Sequence, residues 1–350
     1  MKFELSEDQA LLRSSTRDFL AGEWPMEKVR NVVESEPAGF AGDSWARLVD
    51  MGYLGLTVPA EKGGQGLGAI ELAIVCEEMG RFLMPGPYLD VVLAADTLAA
   101  AGGQDALLAE IIAGRKLVVF ARDDAAYAGE AQQRPRLEGA KLRGTKFFVP
   151  FAAHADALLV TAADGLYLVE KPFGVTALES FDLSARFGAV QLDHATRRIA
   201  APEALVRSDF LAAIGASAGM LGIMARCLEI TLEYSQTRKT FGRAIGSFQA
   251  LQHRMSEMML RTESTRSAVY RAAWCLDTAN EDTALACAAA KAYAGDASRL
   301  VCGEAIQMHG GIGFTWELDL HFFFKRAKTL EMHYGSTEAQ LERVLRAAGH

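Results

Sequence analysis

Ser217 stands in Gly215-Ala-Ser217-Ala-Gly219, the G-x-S-x-G spacing of a nucleophilic serine, and His309-Gly-Gly311 imitates part of an esterase oxyanion loop. Acyl hydrolysis is therefore the first chemistry to weigh. A nucleophile elbow needs a strand before its serine, whereas Ser217 falls inside a long helical pattern. The His-Gly-Gly stretch also follows the serine, where hydrolases place theirs earlier. Small residues at this spacing serve close helix packing instead. The sequence contains no G-x-G-x-x-G after a strand, no P-loop and no H-E-x-x-H, and its seven histidines show no metal-ligand grouping. Five cysteines, Cys76, Cys227, Cys275, Cys287 and Cys302, have no C-x-x-C spacing and read as reduced core thiols.

The elements that position these residues follow from periodicity. Ser6-Glu-Asp-Gln9 has the S-x-x-Q form of a capping box, and Leu11, Leu12, Phe19 and Leu20 then recur at helical spacing. Helical patterns continue through Trp45 to Met51, Ala69 to Phe82 and Leu89 to Ala101, punctuated by Gly63-Gly64-Gln65-Gly66 and Pro85-Gly86-Pro87. From about Lys116 to Ala204 the texture changes to short β-prone runs: Leu117 to Phe120, Lys146 to Val149, Ala157 to Val160 and Leu166 to Val169. Long helical patterns then return over Phe210 to Gln236, Phe248 to Asp277 and Thr283 to Met308, followed by a shorter pair. The expected fold is α+β and mainly helical. It has an N-terminal helical domain (1–115), a small central β domain (116–205) and a C-terminal four-helix bundle (206–350), without the β-α alternation of a doubly wound sheet.

Half of the 350 residues are apolar and 23% are charged, enough to bury a large core. The formal net charge of -8 argues against nucleic acid, which requires a basic face. Small anionic ligands remain accessible to local Arg or Lys. Met1-Lys2-Phe3-Glu4-Leu5 runs straight into charged residues, and no apolar run is read as reaching membrane-spanning length. A cytoplasmic protein with no membrane partner is expected.

Arg238-Lys-Thr-Phe-Gly242, followed by Ile245-Gly-Ser-Phe248-Gln249-Ala-Leu-Gln252, resembles the signature of acyl-CoA dehydrogenases, as does Gln307-Met-His-Gly-Gly-Ile-Gly313-Phe314. The resemblance extends over nearly the whole chain, including Gly63-Gly64-Gln65-Gly66 and Leu142-Arg-Gly-Thr-Lys-Phe-Phe-Val149, and is more faithful in the C-terminal half. It implies FAD, bound mainly by a neighbouring subunit. The residues it places around the adenosine and pyrophosphate are Arg238, Thr240, Phe241, Phe248, Gln249, Gln307, Gly310 and Gly311. Arg238 would supply a fixed fork of donors for phosphate oxygens. Phe241 would offer an apolar face, and Gly310 and Gly311 remove Cβ atoms so that backbone approaches the dinucleotide.

The family removes a proton next to the thioester carbonyl while the flavin takes hydride from the next carbon, which requires both groups held together. Its usual base is a Glu downstream of the Gly-Gly motif. Counting from Gly310 puts Tyr334 at that position, within His333-Tyr334-Gly335-Ser336, and the alternative position used by some members is Ala212. A tyrosine with a pKa of about 10 is protonated at neutral pH. Glu331 and Glu338 are near in sequence but are expected to point elsewhere.

The flavin-backing Trp-Ile-Thr element of the family appears as Phe148-Val149-Pro150, without the hydroxyl and amide donor. A second flavin-contacting stretch is replaced by Ala121-Arg122-Asp123 and Ala126-Tyr127-Ala128. No catalytic residue is therefore assigned to this chain. The resemblance implies the degenerate subunit of a heteromeric acyl-CoA dehydrogenase, inactive alone, with a catalytic partner subunit. The complex would take a bulky acyl-CoA such as a steroid side-chain fragment, with an electron-transfer flavoprotein as acceptor. A self-sufficient homo-oligomeric dehydrogenase with a non-standard base, and a flavin-free scaffold, are the alternatives.

Overall fold

The computed structural model describes residues 4–122 and 135–349. Its chain divides into two compact units, one of Met1–Arg30, Gly68–Met84 and Phe210–His350, the other of Asn31–Leu67 and Pro85–Asp209.

In the first unit, α1 (Glu7–Glu23) opens with the expected capping box: Ser6 Oγ accepts from Gln9 N at 3.2 Å, and the Gln9 side chain accepts from Ser6 N at 3.0 Å. This helix packs on α4 (Ala69–Arg81), where Arg17 forks onto the buried Glu78 at 2.9 and 2.7 Å. Two free N–H groups at the start of α4, those of Ala69 and Ile70, donate at 2.7 and 3.0 Å to Asp277, the last residue of α8 (Gln249–Asp277).

The long helices α7 (Leu205–Thr237) and α9 (Thr283–His309) complete this core with α8, and α10 (Leu320–Met332) and α11 (Thr337–Ala347) follow. Contact between α4 and α7 is made through glycine. A Cβ on Gly80 would overlap the Gly219 backbone and one on Gly222 would overlap the Glu77 carbonyl. The small residues around Ser217 therefore serve packing, and Ser217 itself is buried within α7, its Oγ donating to Ala213 O at 2.6 Å.

One sequence expectation is corrected here. Residues Pro202–Thr237 do form a helical stretch long and apolar enough to cross a membrane, and 83% of its most apolar window is buried inside the protein. Apolarity on all sides is the mark of a core helix as well as of a span. All five cysteines are free and buried.

The second unit holds α3 (Gly42–Asp50), α5 (Tyr88–Ala101), α6 (Asp105–Ile112) and two four-stranded sheets. The first sheet has β1 (Val118–Ala121), β4 (Ala157–Ala162), β5 (Gly165–Glu170) and β8 (Arg198–Ala200) in that order. The second runs β2 (Arg136–Glu138), β3 (Lys141–Pro150), β7 (Phe187–Ala195) and β6 (Gly174–Leu178). Alternate side chains of the two sheets, among them Val119, Leu158, Val160, Leu142, Val149 and Val190, fill one core. Register slips between Lys146 and Val149, where Phe148 has φ +50°, so the strand is bulged beside Pro150.

Candidate functional site

Arg238 ends α7, and its backbone is fixed from both sides: its N–H donates to Tyr234 O at 2.9 Å and its carbonyl accepts from Ile245 N at 2.8 Å. Between these anchors lies a hairpin of β9 (Lys239–Thr240) and β10 (Arg243–Ala244), paired Thr240 to Arg243 and Lys239 to Ala244. Phe241 and Gly242 form its two-residue turn with φ of +53° and +80°. Positive φ at both central residues is the I′ geometry that suits a tight hairpin, and Gly242 adopts it freely. For Phe241 it is a strained choice. That strain holds an aromatic ring at the tip, 92% exposed, edge-on to Phe248 at 6.4 Å. Arg243 lies 4.0 Å over the Phe248 ring.

The second motif is brought to this hairpin by an aromatic stack. Tyr234, one turn before Arg238, lies against His309 with ring centroids 4.2 Å apart. His309 is buried, and its Nδ1 sits 2.7 Å from Ala305 O, which only accepts, so Nδ1 carries the proton. Burial pushes the imidazole below its usual pKa, and the ring is neutral at pH 7. The next residue, Gly310, caps α9 with φ +62°, and a Cβ on Gly310 or Gly311 would meet nothing within 4 Å.

Open space thus stands in front of both glycines. Arg238, Thr240, Gln249 and Gln307 are exposed, and their side chains make no hydrogen bond or ion pair among the described residues. A cationic fork, amide and hydroxyl donors, an exposed aromatic face and bare backbone fit the pyrophosphate and adenosine of a dinucleotide.

The positions of a base are different. Tyr334 lies in the turn between α10 and α11 with φ +62°, its ring 4.1 Å from that of His333. Ala212 is buried in α7. Neither carboxylate nearby is free: Glu331 is buried and accepts from Lys328 Nζ at 2.7 Å and Thr337 Oγ1 at 3.1 Å. Glu338 is exposed in the first turn of α11, where backbone N–H and Ser336 hold its carboxyl below the usual range.

In the β unit, Arg122 is spent internally. Its guanidinium lies 3.9 Å over Phe120, donates to Ser208 Oγ at 2.5 Å and pairs with Asp209. Its carbonyl accepts from the fully buried Lys146 Nζ at 3.0 Å and from Thr161 Oγ1 at 3.1 Å. Pro150 has no N–H to offer. These groups do not fit a flavin ring, whose polar edge needs free donors. Asp123 and Ala126-Tyr127-Ala128 lie outside the described residues.

A helical bundle interrupted in the chain by a small β unit, with exposed donors beside bare glycine backbone, is an arrangement shared with helical flavin-dependent dehydrogenases. Residues 6–112 match the acyl-CoA dehydrogenase N-terminal domain and residues 211–349 the acyl-CoA dehydrogenase C-terminal domain. The chain belongs to the acyl-CoA dehydrogenase family, whose cofactor is FAD. It is 33% identical to acyl-CoA dehydrogenase IpdE2 of Mycolicibacterium smegmatis over 97% of this chain and 98% of that one. Among solved structures it resembles a chain of the ChsE4-ChsE5 complex from Mycobacterium tuberculosis, with TM-score 0.90, 28% identity and coverage of 100% and 99%. The Tcur3481-Tcur3483 steroid ACAD G363A variant gives TM-score 0.89 and 26% identity over 98% of each chain.

The Tyr234–His309 stack was not read from the sequence. The one available signal was position: Tyr234 stands four residues before the first motif and His309 lies within the second.

Proposed function

We propose that this chain is the accessory subunit of a heteromeric, FAD-dependent acyl-CoA dehydrogenase, lending the adenosine and pyrophosphate seat to an FAD whose flavin belongs to a catalytic partner subunit. One contrast within the chain carries the reading. The donors around Phe241 and Gly310 are exposed and unspent, while both base positions, Tyr334 and Ala212, lack a carboxylate. When bound, FAD supplies the hydride acceptor for α,β-desaturation of the acyl-CoA thioester. Arg238 and Gln307 would hold its phosphates, and Phe241 would cover its adenosine from water.

The partnership is supported by a two-protein complex among the structural neighbours, and a steroid-derived acyl group by the steroid ACAD among them. An electron-transfer flavoprotein is the proposed acceptor and the cytoplasm the proposed location. Purified alone, the chain is expected to be colourless and without acyl-CoA oxidation, and to become part of a yellow, active complex with its partner. Stoichiometric FAD and turnover in the isolated chain would favour a self-sufficient homo-oligomer. A chain that brings no flavin into any complex would be a scaffold.

Restoring a carboxylate by Tyr334→Glu is expected to yield no activity. Proton abstraction gains from proximity only where acyl chain and flavin are held together, and among the described residues Arg122 and Lys146 are engaged within the β unit and Pro150 has no N–H to offer a flavin ring. The measurement is acyl-CoA-dependent dye reduction by a complex whose partner has its own catalytic Glu changed to Gln. Rates well above the doubly neutral control would sink the accessory reading.

A further inference from the structure

Lys291 is a buried lysine that neither motif uses. It lies in α9, 1% exposed, and its Nζ donates to Glu331 O at 2.9 Å and to Gly335 O at 3.1 Å. These carbonyls bracket His333-Tyr334 at the end of α10. On the other side Gln340 Nε2 donates to Tyr334 O at 3.1 Å, and a Cβ on Gly335 would meet that nitrogen at 2.6 Å. The turn is therefore held through its carbonyls on both flanks, and it must be, because Tyr334 takes a left-handed φ that a tyrosine does not choose unaided.

We infer that Lys291 is a positioning residue, which through Glu331 O and Gly335 O fixes the 333–336 turn and so sets where Tyr334 is presented. The inference does not depend on the accessory-subunit reading. Two acceptors match the two N–H donors of an uncharged amine, whereas an ammonium would bring a third. Burial pushes Lys291 down to about 7 from 10.5, with Glu331 opposing that shift and Arg343 adding to it. The charged groups acting on Nζ are thus the Glu331 carboxylate, paired with Lys328 on α10, and Arg343 on α11.

The unfolded or opened chain binds the proton more tightly than the clamped one. The clamp is therefore strongest above the unfolded pKa and weakens as pH falls, its loss complete below about 7. Opening the turn lets the ammonium reach water.

Hydrogen–deuterium exchange of the full chain tests this, comparing peptides over 333–340 with peptides in the middle of α8. Lys291→Met is expected to raise exchange in the turn about tenfold while leaving α8 unchanged. In the unaltered protein, exchange in the turn, corrected for its intrinsic pH dependence, should rise as pH is lowered from about 10 to about 7 and level off below that, and Lys291→Met should abolish that rise. A uniform increase across all peptides would mean that Lys291 is an ordinary core residue. A flat corrected profile in the unaltered protein overturns the proposal even where the variant does not fold.

Discussion

Arg238→Ala in the assembled complex is expected to weaken FAD binding about ten- to a hundredfold. A charge-assisted contact to phosphate contributes roughly 1.5 to 3 kcal/mol, and about 1.4 kcal/mol corresponds to each tenfold. Arg238 is suited to supply it, because its backbone is pinned at both N–H and carbonyl while its guanidinium is spent on no other described group. Arg238→Lys keeps the charge but loses the planar fork, so an intermediate loss is expected. Titration of FAD into the apo-complex, followed by flavin fluorescence, gives the affinities. Full retention by Arg238→Ala would make Arg238 a surface residue and remove the main support for the seat.

The residues of the proposed seat could be named from sequence because they are contiguous in two short motifs, but their geometry could not. Lys239-Thr240 and Arg243-Ala244 are strands of two residues each, too short for any alternation to register. The I′ turn at Phe241-Gly242 therefore emerges only from the backbone. Tyr234 and His309 are far apart in sequence, and no single-chain pattern pairs them. Long helices fared better. The expected bounds of α4, α5, α8 and α9 fall within a residue or two of those observed, since apolar spacing over three or more turns is hard to mistake.

The start of α7 was misplaced for a physical reason. The helix begins at Leu205, five residues before the expected Phe210, because its first turn is held by polar contacts: Arg207 with Asp96, and Ser208 and Asp209 with Arg122. Such contacts leave no apolar stripe to read. Arg122, which stands in the stretch expected to contact a flavin, is committed to structure. The guanidinium in that stretch ties β1 to the first turn of α7, so removing it would open a hole among Phe120, Ser208 and Asp209 rather than restore a flavin contact.

Gly222→Ala is expected to be strongly destabilising. The added Cβ would overlap the Glu77 carbonyl and come within 2.8 Å of Arg81 N, both backbone atoms of α4. No rotamer change relieves a clash with backbone, so α4 and α7 would have to separate. Their separation would loosen the glycine contact at Gly80 and Gly219 and strain the Glu77 and Glu78 pairs with Arg13, Arg17 and Arg266. Overpacking costs of roughly 3 kcal/mol, the upper end of the usual range, are therefore expected.

Gly303→Ala supplies the contrast. It lies within α9, a Cβ there meets nothing within 4 Å, and replacing glycine inside a helix stabilises by about 0.5 to 1 kcal/mol. Urea unfolding of the two variants beside the parent chain measures both changes on one scale. A Gly222→Ala midpoint equal to that of the parent would show that α4 and α7 tolerate separation. The glycines flanking Ser217 would then need an explanation other than packing, and the serine itself would have to be weighed again.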